Sequence, residues 1–275
     1  MAKKATTTEV EVMRIERGSI TFMVKGTEPL LFNSLATKAK RELLKPSGRK
    51  TATERKTQLK HNPFAEFRSA PHTLTDGADT LLALPSTAFK GAMMTAALDI
   101  EGVTKTAIGR QVYVPGQLIP VYGIPYLHMT GVRSADMNKT PDIRTRAIVP
   151  EWCCEVTVQF AKPILREKSV VNLFAAAGII SGVGDFRPEK GKGTCGQYEL
   201  VSAGDKEFAK IKKSGGRKAQ IEAMRAAEPY DNETADLLEW FAEQAHADGW
   251  EIDGITGEAT KADAESNGRV KVSSS

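Results

Sequence analysis

The sequence predicts an α+β protein with a ferredoxin-like (RRM-like) βαββαβ core, long basic insertions and a C-terminal helical extension. Three observations predict it: period-two runs of β-branched and aromatic residues, apolar residues at helical spacing, and the order in which these patterns alternate. The predicted elements are strand 19–25, strand 80–84, helix 88–100, two short strands within 111–122, strand 147–160, helix 169–180 and strand 197–201. Long insertions follow the first strand and separate the two central strands.

The first half of this core begins with Ser19–Lys25, a run of β-branched and aromatic residues that alternates in part with period two. A short strand, Thr80–Leu84, leads into Pro85-Ser86-Thr87, where a hydroxyl can cap the free N–H groups of a helix. Residues 88–100 place their apolar side chains on one helical face, which predicts the first core helix. Pro115-Gly116 then separates the two short strands.

The second half begins with the longest strand candidate, 147–160, whose apolar residues alternate toward its end. An apolar run, Ser169–Ile180, predicts the second core helix, and Gln197–Val201 predicts the last strand. Residues 206–227 and 232–247 predict two further helices, the second with an apolar stripe that can pack on the core.

These elements divide the chain into one domain with extensions. We expect a flexible N-terminus over 1–16, a ferredoxin-like domain over 17–203, insertions at about 34–75 and 123–146, a helical extension over 204–254 and a disordered tail over 255–275. The prediction for the tail rests on its content of small and charged residues.

The composition is that of an ordinary globular protein, with 41% apolar residues in a chain of 275. No stretch has 18 uninterrupted apolar residues, and the N-terminus lacks the apolar segment of a secretory signal. The three cysteines, two of them adjacent at Cys153 and Cys154, give no disulfide framework, and the four histidines lack zinc-site spacing. We therefore expect a cytoplasmic protein without a metal or cofactor.

The net charge of +4 conceals an asymmetry along the chain. Residues 227–275 contain twelve Asp or Glu and three Lys or Arg, whereas the remainder contains 35 basic and 22 acidic residues. A basic body with an acidic tail is typical of proteins that bind nucleic acid, because the tail can compete for the same surface. The alternative is a tail that only makes the chain more soluble.

Residues Ser34–Thr75 carry ten Lys or Arg against three Glu, with few large apolar side chains. A loop of this length inside a compact domain is usually either functional or disordered. We interpret it as an insertion that becomes ordered on a ligand. A solvated basic excursion without a role is the alternative.

Six glycines lie among the nineteen residues Gly178–Gly196, between the second core helix and the last strand. Glycine lets a backbone approach a ligand closely with its N–H groups exposed. Arg187, Lys190 and Lys192 add positive charge, and Phe186 offers a flat surface on which a base can stack. The segment therefore favours binding of a polyanion, with a flexible helix-to-strand connection as the alternative.

This segment differs from two well-known phosphate-binding loops. In the loop of nucleoside triphosphatases a Ser or Thr follows Gly-Lys, whereas Gly193 follows Gly191-Lys192 here. The dinucleotide fingerprint runs from a strand into a helix, whereas this segment runs from a helix into a strand.

Lys90 lies near the start of predicted helix 88–100, where the helix dipole repels cations. A lysine there gains stability if an anion occupies the helix N-terminus. A solvated lysine is the alternative interpretation.

Two of these segments resemble one protein family. Leu84–Gly91 resembles the helix start of the RAMP superfamily, a proline, a glycine or serine, a serine, two variable residues, a lysine and a glycine. Gly182–Gly196 resembles the glycine-rich loop of that superfamily, which consists of ferredoxin-like RNA-binding proteins of CRISPR effector complexes. The resemblance covers roughly residues 17–203 and is greatest to the backbone subunits that polymerise along a guide RNA.

The resemblance implies a protein of antiviral defence that coats single-stranded nucleic acid, RNA rather than DNA. Its partners would be further copies of itself, as a homo-oligomer or filament, and other effector subunits. Cations would neutralise phosphates, so affinity falls steeply with salt and sequence is read little. The residues expected at the nucleic-acid groove are Lys38, Lys40, Arg41, Arg49, Lys50, Arg68, Ser86, Lys90, Arg133, Arg144, Arg146, Phe186, Arg187, Lys190 and Lys192.

The sequence departs from the family where catalysis is concerned. Some backbone subunits cleave target RNA with an aspartate in the insertion after the first strand, but residues 34–75 contain no Asp, and the first to follow is Asp76. His61 and His72 are candidate bases for guide-RNA processing, although a lone histidine in a loop is usually solvated. We expect no catalysis.

Three alternatives to this function stay open. The acidic tail also suits a single-stranded DNA-binding protein of a phage or mobile element. An endoribonuclease of the same superfamily would use a histidine or an aspartate of the insertion. A protein-only mimic or interaction partner would join an effector complex without binding nucleic acid.

Overall fold

The structure is a computed structural model that describes residues 13–34, 44, 59–133, 141–253 and 259–261. Its strands are β1 (Glu16–Gly26), β2 (Leu30–Phe32), β3 (His72–Thr73), β4 (Leu82–Pro85), β5 (Val112–Tyr113), β6 (Leu118–Pro120), β7 (Tyr126–Arg133), β8 (Pro141–Val149), β9 (Cys153–Lys162), β10 (Tyr198–Val201), β11 (Trp250–Ile252) and β12 (Ala259–Lys261). Its helices are α1 (Pro63–Ser69), α2 (Ser86–Ala96), α3 (Lys105–Gln111), α4 (Glu167–Ile180), α5 (Lys206–Ser214), α6 (Arg217–Ala226) and α7 (Asn232–Ala247). In these ranges no helix is long and apolar enough to cross a membrane.

The chain forms an α+β fold built on several small antiparallel sheets. The largest sheet has the strand order β10-β1-β9-β5. Its central pair runs in register from Glu16 opposite Lys162 to Lys25 opposite Cys153. In the chain, α2 and α3 lie between β1 and β5, and α4 lies between β9 and β10. The predicted helices 88–100 and 169–180 are thus confirmed as α2 and α4, with small shifts of their ends.

Aromatic side chains join α2 and α4 to the large sheet. Phe174 of α4 stacks on Phe22 of β1, with ring centroids 4.6 Å apart. Phe174 also lies 6.1 Å from Phe89 of α2 and 5.5 Å from Tyr198 of β10. Aromatic pairs of this kind contribute about 0.5–1.5 kcal/mol beyond the burial of their surface. This cluster fixes both helices against one face of the sheet.

Two smaller antiparallel sheets extend the core, with strand orders β2-β8-β7 and β3-β4-β6. Only residues 27–29 separate β1 from β2, and only residues 150–152 separate β8 from β9. The large sheet and the β2-β8-β7 sheet are therefore joined by two short crossings of the chain.

The prediction of one strand over 147–160 is wrong, because β8 and β9 belong to different sheets. Pro150 has no N–H group to contribute to a strand ladder. Trp152 is fully buried, and its Nε1 donates to the carbonyl oxygen of Glu28 at 2.9 Å. Its ring lies so close to Gly26 that a Cβ there would be 2.1 Å from Nε1. The strand ends that meet at this break, 147–149 and 153–154, are both apolar and buried, so composition alone does not reveal it.

The predicted insertion 123–146 contains an antiparallel hairpin of β7 and β8. Its register runs from Tyr126 opposite Ile148 to Arg133 opposite Pro141, and residues 134–140 lie outside the described residues. In the predicted insertion 34–75 the structure describes α1 and β3. Residues 35–43 and 45–58 of that insertion lie outside the described residues.

The C-terminal prediction holds in part. Helix 232–247 is confirmed as α7, whereas 206–227 is two helices, α5 and α6, because the chain turns at Gly215-Gly216. A Cβ on Gly215 would lie 2.2 Å from the backbone nitrogen of Gly123, so this close approach requires glycine. In the predicted tail 255–275, β12 pairs with β11, and the other residues of the tail lie outside the described residues.

A buried glutamine, Gln220 of α6, joins the helical extension to the core. Its Oε1 accepts hydrogen bonds from the N–H groups of Leu81 at 2.7 Å and Leu82 at 3.0 Å. Its Nε2 donates to the carbonyl oxygens of Val121, Gly123 and Gly215. One side chain therefore ties α6 to β4, to the chain after β6 and to the turn before α6.

We predict that Gln220→Leu lowers the free energy of unfolding by about 3 kcal/mol, because it leaves buried backbone groups without hydrogen-bond partners. Urea denaturation measures this loss. Gln244→Leu, at an exposed position of α7, is the control and should change the free energy by less than about 0.5 kcal/mol. A loss below about 1 kcal/mol for Gln220→Leu would contradict the role given to its hydrogen bonds.

Candidate nucleic-acid interface

The two segments that resemble the RAMP motifs, Leu84–Gly91 and Gly182–Gly196, are far apart in the chain but line one groove. The groove has a volume of about 380 Å³, and the end of β2 forms its third wall. The polar side chains that line it belong to Asn33, Ser34, His72, Thr87, Thr95, Lys105, Asp185, Arg187 and Glu189. Acidic and basic groups are thus mixed along its walls.

The glycines of the loop serve close approaches within the protein. A Cβ on Gly193 would lie 1.8 Å from the carbonyl oxygen of Phe186, and a Cβ on Gly196 would lie 1.7 Å from that of Val183. Gly184 has a φ of +84° and lies against the carbonyl oxygen of Leu31. We expected these glycines to admit a ligand, but at these positions they admit the neighbouring backbone.

Backbone hydrogen bonds fix the loop against β2 and against itself. The N–H of Asp185 donates to the carbonyl oxygen of Leu31 at 2.8 Å, and that of Gly196 donates to Pro29 at 2.8 Å. Across the loop, the N–H of Cys195 donates to the carbonyl oxygen of Phe186 at 3.1 Å. These bonds oppose the alternative of a flexible connection, because both ends of the loop are held.

Phe186 stands out in this loop for its backbone and its exposure. Its φ is +50°, a region that residues other than glycine rarely adopt. Its side chain is 49% exposed, although exposure of a large aromatic side chain forgoes its burial energy. Backbone strain of this kind clusters at functional sites, and the stacking role of Phe186 stays a prediction.

Arg187 is occupied by partners inside the loop. Its Nε and Nη2 each lie 2.7 Å from Oε2 of Glu189, and its Nη1 donates to the carbonyl oxygen of Gly184 at 2.7 Å. Glu189 also accepts a hydrogen bond from the hydroxyl of Thr95 in α2. The predicted cation therefore braces the loop against α2, and its charge is compensated within the protein.

Arg146 of β8 is buried beside the same loop. Its Nε lies 3.1 Å from Oδ2 of Asp185, and its Nη1 donates to the hydroxyl of Thr130 at 3.1 Å. Burial lowers the pKa of Arg146, whereas the Asp185 carboxylate opposes that shift. Asn33 donates to the same Asp185 oxygen at 2.9 Å. The network joins β8, the end of β2 and the loop.

Two further residues from the predicted set hold the fold together. The Ser86 side chain is buried and its hydroxyl donates to the carbonyl oxygen of Gly116 at 2.7 Å, so it does not cap α2. Arg68 of α1 donates from Nε to the carbonyl oxygen of Met224 at 3.1 Å, at the end of α6. Both side chains have structural partners in the free protein.

Four predicted cations form no ion pair with any residue that the structure describes, and these are Lys90, Arg133, Arg144 and Lys192. Lys90 is half-buried on α2, and the other three are exposed. Lys38, Lys40, Arg41, Arg49 and Lys50 lie outside the described residues, as does the side chain of Lys190.

The sequence analysis missed an aromatic group beside these arginines. The rings of Tyr126 and Tyr230 have centroids 6.5 Å apart, and His128 meets Tyr230 edge-on at 5.6 Å. His128 and Arg146 are opposite each other in the β7–β8 register, so they share one face of the hairpin with Arg144. The period-two spacing of Tyr126 and His128 is a signal that could have placed them on a strand face.

The candidate catalytic residues have different surroundings. Asp76 lies 2.7 Å from Nη2 of Arg217, and His72 lines the groove. His61 lies between two carboxylates, with Nδ1 3.1 Å from Glu66 and Nε2 3.1 Å from Asp142. The described residues contain no group of three or more side chains that could hold a metal ion.

His61 also links α1 to the β7–β8 hairpin. The hydrogen bond with Glu66, followed by the interaction with Asp142, raises the pKa of His61 against the opposing effect of burial. Lys60 lies 2.8 Å from the same Asp142 oxygen, and it is the main cause of the lowered pKa of Asp142. Protonated His61 therefore stabilises this contact.

Comparisons with known proteins give structural likenesses but no match to a family model or a curated protein. Among solved structures, Cmr6 from Pyrococcus furiosus is similar, with a TM-score of 0.36 and 11% identity over 68% of this chain and 98% of Cmr6. A likeness of this size carries no conclusion about function.

We predict that Gly193→Ala disorders the glycine-rich loop, because the added methyl group would meet the Phe186 carbonyl oxygen. Amide hydrogen exchange should become faster at Asp185 and Cys195, whose N–H groups are bonded in the loop. Gly191→Ala is the control, because no atom lies within 4 Å of its Cβ position, although its φ of +80° adds strain. Unchanged protection in Gly193→Ala would contradict the close approach.

We predict that His61 stabilises the fold mainly at low pH. Its folded-state pKa is raised, so its contribution is complete below the unfolded value of about 6.5 and is lost as pH rises through the folded value. The free energy of unfolding of the wild type relative to His61→Gln should therefore decrease as pH rises from about 6 through the raised folded-state pKa of His61. In a Glu66→Gln background this decrease should shrink, and a difference independent of pH would contradict the prediction.

Proposed function

We propose that this protein is a non-catalytic subunit that binds single-stranded nucleic acid, RNA in particular, and self-assembles along it like a CRISPR effector backbone protein. The observation that carries the proposal is the meeting of Leu84–Gly91 and Gly182–Gly196 in one groove. These segments were singled out separately from the sequence. Their convergence is what a shared ligand site requires.

We further infer that the core is ferredoxin-like. Across the large sheet the strands lie in the order β10, β1, β9 and β5. Along the chain these are the fourth, first, third and second strands of that sheet. All three neighbouring pairs are antiparallel, and helices occupy the two connections expected of a βαββαβ unit. This arrangement supports the RAMP resemblance without identifying a subfamily.

The proposed interface combines exposed cations with exposed aromatic rings, and these side chains lie outside the lining of the groove. Arg144 and Lys192 are exposed and can neutralise phosphates, while Phe186 and Tyr230 offer rings at 49% and 39% exposure. Stacking on an aromatic side chain contributes about 1–3 kcal/mol per base and tolerates every base. We therefore expect binding that depends strongly on salt and weakly on sequence.

The surroundings of the candidate catalytic groups favour a binding role over cleavage. Asp76 is paired with Arg217, and His61 bridges Glu66 and Asp142. A general base must reach the proton that it removes, and the two ring nitrogens of His61 and one Asp76 oxygen already have partners. His72 lines the groove and is the third candidate base. Cleavage of RNA by the pure protein, lost on Asp76→Ala or His61→Gln, would favour the endoribonuclease alternative.

We predict that Arg144→Glu combined with Lys192→Glu weakens single-strand binding at every sequence, because two phosphate contacts become repulsive. On a single strand each phosphate contact contributes about 0.7 to the slope of log affinity against log salt. Loss of two contacts should therefore make the slope shallower by about 1.4. Fluorescence anisotropy with a labelled oligonucleotide measures both quantities. The control is Arg166→Glu with Lys168→Glu, exposed residues at the other end of α4 with the same charge change.

The ligand itself is identified by purification without nuclease. A high ratio of absorbance at 260 and 280 nm, with large particles and protected RNA, is the expected result. Protected DNA would favour the single-stranded DNA-binding alternative. A clean monomer that binds neither oligonucleotide at low salt would overturn the proposed function.

A further inference from the structure

Helix α7 presents an acidic stripe to solvent with a tryptophan at its centre. Asp236, Glu239, Trp240 and Glu243 are spaced along one helical face, and all are exposed. Trp240 is 61% exposed, although the opposite side of α7, including Thr234 and Ala245, is buried. Within the described part of the chain, none of the three carboxylates forms an ion pair.

Helix α5 presents the opposite charge in the same way. Lys206, Lys210 and Lys213 lie at i, i+4 and i+7 on its exposed face, while Phe208 and Ile211 are buried on the other side. The three lysines form no ion pair with the residues that the structure describes.

The other charges of α5 are already compensated. Glu207 binds Lys25 of β1 at 2.6 Å, and Lys212 binds Glu155 of β9 at 2.6 Å. Glu207 and Lys212 therefore pair with the large sheet, whereas the three lysines of the outward stripe form no ion pair with the described residues.

The two stripes match in length and charge. Each runs over eight residues of its helix, 236–243 and 206–213, which is about 10 Å at a rise of about 1.5 Å per residue. Trp240 is the type of residue that anchors interfaces, and the aliphatic stems and ammonium groups of lysines can pack over its ring. Both stripes face solvent on one chain, so their pairing requires a second copy.

We propose that the acidic stripe of α7 binds the lysine stripe of α5 in a second copy of this chain. The contact joins two different surfaces, so two bound copies together keep one free stripe of each kind, one on each copy. Contacts of this class generate filaments when the rotation between copies does not close a ring. This inference deepens the self-assembly that the proposed function includes, and it rests on that part of it.

A charge-swap experiment on nucleic-acid-free protein tests the contact. One variant carries Asp236→Lys, Glu239→Lys and Glu243→Lys, and the other carries Lys206→Glu, Lys210→Glu and Lys213→Glu. Each variant alone should associate at least about 100-fold more weakly than the wild type, because attractive pairs become like-charge pairs. Sedimentation velocity measures association, and circular dichroism verifies that each variant is folded.

An equimolar mixture of the two variants should associate again. Each acidic stripe then faces a basic stripe at every contact, in an alternating order. The control variant carries Glu101→Lys, Glu151→Lys and Glu222→Lys, exposed residues outside both stripes with the same charge change, and it should associate like the wild type. The single substitution Trp240→Ala, made in the otherwise wild-type chain, should also weaken association.

Three results would overturn the contact: a wild type that stays monomeric, variants that associate like the wild type, or a mixture of folded variants that stays monomeric. Binding of a short labelled oligonucleotide, measured separately at concentrations where the protein is monomeric, distinguishes this failure from failure of the proposed function. Loss of oligonucleotide binding on reversal of the α5 lysines, without recovery of association in the mixture, would assign that stripe to nucleic acid instead.

Discussion

The stacking of Phe174 on Phe22 is the contact on which the candidate site depends. Because Phe174 also meets Phe89 and Tyr198, one cluster positions α4, α2 and β10 relative to β1. The glycine-rich loop leaves the end of α4 and enters β10. Both of its ends are therefore set by close packing in the core, which has low compressibility. The shape of the groove is a consequence of that packing.

The glycine-rich loop forms an exposed surface on this rigid frame. Gly193 and Gly196 let its two sides approach each other through the backbone, and bonds to β2 hold it in place. The result is that Phe186 projects outward from a fixed position with a strained backbone. Functional side chains are commonly carried in this way, on loops that a rigid scaffold positions.

The charged residues divide into those that build the protein and those that remain available. Arg68, Arg146 and Arg187 have partners inside the fold, so a count of basic residues overstates the charge that a ligand meets. Arg144 and Lys192 are exposed, and neither forms an ion pair with a residue that the structure describes. These two exposed cations lie outside the stripes proposed for self-association, on a chain whose net charge is only +4.

The sequence by itself determined the features that depend on local spacing. Periodicity gave the strand at 19–25 and the helix at 169–180, and composition placed the glycine-rich loop directly after that helix. Only the tertiary structure decided that 147–160 is divided between two sheets, and that Arg187 pairs within its own loop. The aromatic group around Tyr230 also depends on contacts between distant segments. Side-chain period is a property of neighbouring residues, whereas strand partners and ion pairs are chosen by packing between residues far apart in the chain.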